Sequence, residues 1–258
     1  MDLVTDTPLI TGAGTLESDW QAWPGLHCLP ECELDTLVPH KLRAVVVAPH
    51  PDDEVLACGG LLAMLAARGS TALLVAVTDG DGSHPGSTEW TPARLAQRRH
   101  EESVEGLRVL GLRHYSHARL SVPDGAVHLH QRALAASLHS LLTPDDIVFS
   151  TWSADGHPDH EATADAVTQA CAIVGCRHVQ VPVWMWHWAK PADPRVPWQR
   201  MVRLPLTLAA VRRKSYAIEA HLTQLTVHDT GAPAVLSDAM LDRMLRPHEY
   251  LLLPEVDA

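Results

Sequence analysis

Apolar residues in this chain gather into short dense runs separated by longer amphipathic stretches. RAVVVAP at 43–49 is a continuous β-branched run of the kind found in a central, doubly covered parallel strand. EVLACGGLLAMLAARG (54–69) follows with an apolar helical face and a terminal glycine, Gly69. The same alternation continues. TALLVAVT (71–78), HYSHARL (114–120), DDIVFST (145–151) and HVQVPVWMWHW (178–188) read as strands. TPARLAQRRHEESVEGLRVLGL (91–112), HLHQRALAASLHSLL (128–142) and DHEATADAVTQACAIVG (159–175) read as the helices between them. Thr91 suits an N-cap and Pro92 the first helical position. Beyond residue 190, QRMVRLPL (199–206) reads as an edge strand, and 207–225 and 232–246 as helices.

Five strand–helix alternations predict an α/β fold: a single Rossmann-like three-layer domain with a mostly parallel sheet and helices on both faces. Residues 1–40 read as an N-terminal extension, with Trp20 and Trp23 as anchors, and 41–258 as the domain. Such sheets bind ligands beyond the carboxyl ends of their strands. PHPDDE (49–54) lies at one such end and STWSADGHPDH (150–160) at another, so the fold predicts that they meet.

Charge narrows the partners. Twenty basic against 31 acidic residues give −11, which argues against nucleic acid or an anionic membrane. Five cysteines, an odd number with no framework spacing, suggest reduced thiols. With no apolar leader at the start and no spanning run, the chain reads as soluble and cytoplasmic, and self-association is left open.

The two rim segments carry the chemistry. His50 and Asp53 are three apart, as are His157 and His160. One His/Asp pair with one or two further histidines gives three ligands and an open position, the arrangement of a catalytic rather than a structural zinc. Neighbouring carboxylates at a strand end repel and desolvate badly, and a divalent cation removes that penalty. For Asp52 and Glu54, the alternative is complementarity to the first turn of a helix. Gly59 and Gly60 suit close helix packing, and Trp184, Trp186 and Trp188 would share one face of a strand, with His187 on the other.

APHPDDE (48–54) followed by GHPDH (156–160) resembles the LmbE/PIG-L family of zinc-dependent de-N-acetylases. TDGDGSHPG (78–86), Arg99 and Glu102 with Leu110-Gly111, LSVPDG (120–125) and KSYAIEAHLTQ (214–224) match further segments of that family in order. The resemblance implies one zinc ion per chain, held by His50, Asp53 and His160, with Asp52 as general base. His157 would stabilise the oxyanion as an imidazolium or protonate the leaving amine. Asp159 would orient His157 or a ligand histidine. Arg99 and Asp124 match positions that contact sugar hydroxyls, and His221, with Gln224, lies in a segment with a substrate-side role. Some members carry tyrosine where this chain has Asp155, so the oxyanion partner is in doubt, and His84 is an extra candidate. The implied activity is removal of an N-acetyl group from an N-acetylglucosamine-like sugar or glycoconjugate. A zinc amidase acting on another conjugate, and a non-catalytic sugar- or nucleotide-binding protein, are the alternatives.

Overall fold

The valine run at 45–47 lies at the centre of a seven-stranded sheet, seen in a computed structural model that describes residue 10 and residues 12–254. In chain order the elements are α1 (Glu17–Ala22), α2 (Pro24–His27), α3 (Leu34–Leu37), β1 (Arg43–Ala48), α4 (Asp53–Arg68), β2 (Ala72–Thr78), α5 (Pro92–Leu110), β3 (Tyr115–Val122), α6 (Val127–Leu141) and β4 (Asp146–Thr151). There follow α7 (Pro158–Val174), β5 (Arg177–Val181), α8 (Met185–Trp188), β6 (Met201–Pro205), α9 (Leu208–Glu219), α10 (Leu222–Leu225), α11 (Asp238–Met244) and β7 (His248–Leu252). The strand order is β3-β2-β1-β4-β5-β7-β6. β1 to β5 run parallel, and β7 pairs antiparallel with both β5 and β6.

Strand side chains alternate between two cores, as period 2 requires. Ala44 and Val46, with Leu74 and Phe149, pack with α4, α5 and α9 on one face. Val45 and Val47, with Val75 and Val148, pack with α6 and α7 on the other. The helix ends follow the local code. The Thr91 hydroxyl accepts from the Arg94 amide, and Gly69, Gly111 and Gly175 close α4, α5 and α7 in the left-handed conformation. Among the described residues no helix is long and apolar enough to cross a membrane.

Residues ahead of β1 join the first core. Trp20 is fully buried, edge-on to Trp186 at 5.0 Å, and donates its indole N–H to the Trp186 carbonyl at 3.0 Å. Trp23 is half-buried against Trp198. The Cys32 amide donates to the Arg203 carbonyl, and the Arg203 amide to the Pro30 carbonyl, so this segment covers the free edge of β6.

Three local expectations are corrected. The fifth strand ends at Val181, and residues 185–188 form α8, so the three tryptophans do not share a strand face. Pro182 offers no N–H, and the next three amides bond to the Asp155 carboxylate instead of a neighbouring strand. The helix expected over 207–225 breaks at Ala220–His221 into α9 and α10, and that over 232–246 shortens to α11, capped by Ser237. β7 has no counterpart in the hydropathy reading.

The buried Glu249 of β7 bonds to α4 and pairs with Lys214 of α9. Glu249 accepts from the Gly60 and Leu61 amides at 2.7 and 2.8 Å and from Lys214 Nζ at 2.8 Å. A β-carbon on Gly59 or Gly60 would meet Lys214 or Leu206, so both glycines serve this close approach. Lys214→Met strands a buried carboxylate and is expected to cost about 3–5 kcal/mol, read from urea unfolding midpoints at constant slope. Adding Glu249→Gln should recover part of the loss. An unchanged midpoint in the single variant contradicts this account.

Candidate metal centre and active site

β1 and β4 are neighbours, so the turns that leave them are adjacent at the carboxyl rim. The first turn carries His50, Asp52 and Asp53, with Asp53 as the first residue of α4. The second carries Asp155 and His157, the latter capping α7 ahead of Pro158, Asp159 and His160.

Asp53 Oδ2 is the focal atom. It lies 3.0 Å from the His50 amide, 3.2 Å from His50 Nδ1 and 3.2 Å from His160 Nε2. His50, Asp53 and His160 present one ligand atom each within 4.8 Å of one another. His160 is fully buried, and its Nε2 has no hydrogen-bond partner. An orphaned imidazole nitrogen aimed at a buried carboxylate is costly by itself and suits a cation between them. Two imidazoles and one carboxylate fit a divalent ion that keeps an open position.

Both histidines are held from behind by carboxylates, as metal-binding histidines usually are. His50 Nε2 lies 3.2 Å from Asp159 Oδ2 and from Asp124 Oδ1. Asp159 is fixed in turn by the Gly125 and Val127 amides. Its carboxylate serves His50, and its amide donates to His157 Nδ1 at 3.2 Å. His160 Nδ1 lies 2.7 Å from Asp155 Oδ2. The field of the site demands positive charge. Burial opposes a proton on His160, yet Asp53 and Asp155 hold it up at about 9. Burial pushes Asp53 upward, yet His160 and His50 hold it well below the carboxylate range.

Asp52 is not among these ligand groups. It is buried, and burial pushes its carboxyl up to about 7 against the pull of Arg99. Its φ of 142° is strained for any residue with a β-carbon. Two neighbours over-determine this conformation. Glu54 accepts from the Asp52 amide at 3.0 Å and from the Ser103 hydroxyl. Arg99 donates to the Pro51 carbonyl at 2.8 Å, to Asp52 Oδ2 at 3.2 Å and to the Gly80 carbonyl at 2.9 Å. Glu54 is thus a brace rather than a simple first-turn acid.

The donor set opens into a cavity of about 360 Å³. Arg99, Asp124, His157 and Gln224 line it, with Trp184, Leu56, Val235 and Leu236 as the apolar wall. Trp184 lies nearly parallel to the His157 ring, at 21° and 6.5 Å between centroids. Arg99 nonetheless commits its guanidinium to the turn, and Asp124 also accepts from the Gly82 amide. His221 does not line the cavity. It is buried beside α5, next to Gly106, with neither ring nitrogen bonded, and burial, then Arg99, pushes it down to about 3. His84 lies outside the lining too, stacked on His228 at 3.7 Å.

His157 departs from the expected imidazolium. Burial, then His160 and His50, push it down to about 3, so it rests neutral. With Nδ1 accepting from the Asp159 amide, its proton resides on Nε2. Asp155, which stands where some members carry tyrosine, lies fully buried behind His160. No sequence signal marked the Trp184 wall, because it depends on contacts across some thirty residues.

A mostly parallel sheet whose strand ends bring together a two-histidine, one-carboxylate donor set and a spare buried carboxylate has the groups that a metal-assisted hydrolase needs. The chain belongs to the PIG-L family: the family profile described as GlcNAc-PI de-N-acetylase matches residues 45–171. The uncharacterized deacetylase YaiS of Escherichia coli (strain K12) is 31% identical over 137 residues, 50% of this chain and 68% of that one. The 1D-myo-inositol 2-acetamido-2-deoxy-alpha-D-glucopyranoside deacetylase of Rhodococcus jostii (strain RHA1) is 26% identical over 269 residues, covering 82% of this chain and 91% of its own. The conserved protein TT1542 from Thermus thermophilus superposes with a TM-score of 0.59 at 25% identity, over 83% of this chain and 95% of that one. Relatives in this family are named as deacetylases, hydrolases of amide bonds.

The brace on Asp52 is testable. Glu54→Ala leaves the Asp52 amide and the Ser103 hydroxyl unpaired and should cost about 1–3 kcal/mol in denaturant unfolding. Glu54→Gln should stay within about 1 kcal/mol, because the Ser103 hydroxyl can turn to accept from the amide. Equal losses in the two variants would contradict the bracing role.

Proposed function

We propose that this chain is a zinc-dependent N-deacetylase acting on an N-acetylglucosamine-like sugar or sugar conjugate. The observation that carries the reading is the convergence of His50, Asp53 and His160 beside the separate buried carboxylate of Asp52. The relative from Rhodococcus jostii is named for an N-acetylated aminosugar joined to inositol, and the cavity here combines hydroxyl-bonding side chains with an apolar wall.

His50, Asp53 and His160 hold the ion in this reading. Zinc supplies Lewis acidity there, polarising the acyl oxygen and making a water easier to deprotonate. Asp52, held in its strained turn by Glu54 and Arg99, takes the proton from that water. The neutral His157 presents Nε2–H to the negative charge that builds on the acyl oxygen. Asp52, once protonated, can return that proton to the leaving nitrogen. Trp184 and Leu236 exclude water and give the sugar ring an apolar face to rest against.

The test measures zinc content and free-amine release from N-acetylglucosamine, its oligomers and its glycosides. Wild-type protein should hold one zinc, lose activity to a chelator and regain it with zinc. Asp52→Asn should keep the metal and lose turnover by about 10²–10⁴-fold. His160→Ala should lose the metal. A wild-type protein without stoichiometric metal, or an Asp52→Asn variant with full turnover, overturns the reading. Release confined to non-sugar amides overturns the substrate class.

A further inference from the structure

Asp155 is fully buried, and its carboxylate is saturated. Oδ1 accepts from the Val183 and Met185 amides, each at 2.9 Å. Oδ2 accepts from the Trp184 amide at 3.0 Å and lies 2.7 Å from His160 Nδ1. Its own main-chain carbonyl takes the Trp188 indole N–H at 2.7 Å. A carboxylate only accepts, so His160 Nδ1 must be the donor in this pair. The other ring nitrogen, Nε2, is then left without a proton in the neutral ring, and it is the atom that faces Asp53. The three amides belong to the segment that ends β5 and places Trp184 on the cavity.

We propose that Asp155 is a positioning residue with two tasks: it fixes His160 in the orientation and tautomer that leave Nε2 free for a metal ion, and it fastens the Trp184 wall to that same ligand. The proposal rests on the metal-site reading above. Metal affinity and the shape of the acceptor cavity are thereby linked through one side chain that touches neither substrate nor ion. Asp159 has the corresponding place behind His50, but it also bonds the turn at 125–127, so each half of the donor set is joined to a different cavity wall.

Asp155→Asn separates the tautomer from the packing. The amide oxygen can still accept from Val183 and Met185. The amide nitrogen then takes the place of Oδ2, donates to His160 Nδ1 and opposes the Trp184 amide. His160 is driven to carry its proton on Nε2, where it competes with the metal. The experiment measures zinc affinity by competition with a chromogenic chelator, on protein shown by circular dichroism to be folded. The expected result is about 10–100-fold weaker zinc binding in Asp155→Asn. In zinc-loaded wild-type protein, the His160 Nδ1 proton should give a downfield, slowly exchanging imidazole N–H signal in ¹⁵N-edited NMR, which does not depend on how the variant folds. Zinc affinity within twofold of wild type, or a rapidly exchanging His160 Nδ1 proton, overturns the proposal alone. A wild-type protein that binds no zinc overturns the metal reading and this proposal with it.

Discussion

Asp53 Oδ2 is approached by two imidazole nitrogens at 3.2 Å, one of them without any hydrogen-bond partner, in a place that water scarcely reaches. Buried carboxylates and imidazoles are tolerated at such spacing when positive charge is shared among them. Much of the rim can be understood from that requirement. Asp159 and Asp155 stand behind the two histidines, Gly125 and Val127 fix Asp159, and the ends of β4 and β5 are shaped to deliver these groups. The sheet accomplishes this through adjacency: β1 and β4 pair, so two turns a hundred residues apart in sequence become neighbours.

The second aspartate is held differently. Asp53 sits in regular helix and is stabilised as an anion by His160 and His50. Asp52 sits in a strained conformation, and burial raises its affinity for a proton. Strain of this kind persists only when neighbours over-determine it, and Glu54 and Arg99 bond to this turn. Glu54 within the acid-rich motif thus goes to holding the Asp52 turn in place.

The parallel sheet was legible because its strands are short β-branched runs bounded by glycine and cap residues, which are local signals. The meeting of His50 and Asp53 with His160 was legible because PHPDDE and GHPDH both follow strands whose ends share one rim, and the family resemblance pointed to the three. What the sequence did not show depends on long-range pairing. β7 is stabilised by β6 and by the Glu249 bonds to α4, and nothing in HEYLL announces either. The tryptophan segment has strand-like composition, but Asp155 takes the amides that a sheet would need. Arg99 resembles a sugar contact by position, yet two backbone carbonyls and Asp52 claim its guanidinium. His221 matches a family segment, but the break between α9 and α10 buries it behind the cavity and brings Gln224 to the lining in its place.

The central claim is that these side chains form one mononuclear metal site. X-ray diffraction from zinc-soaked crystals, with anomalous differences collected at the zinc edge, tests it most directly. The account predicts one strong peak per chain, about 2.0–2.2 Å from His50 Nδ1, an Asp53 carboxylate oxygen and His160 Nε2, with Asp52 outside the coordination sphere. A peak ligated by Asp52 in place of Asp53, a peak at another cluster, or no peak at full soak would contradict it.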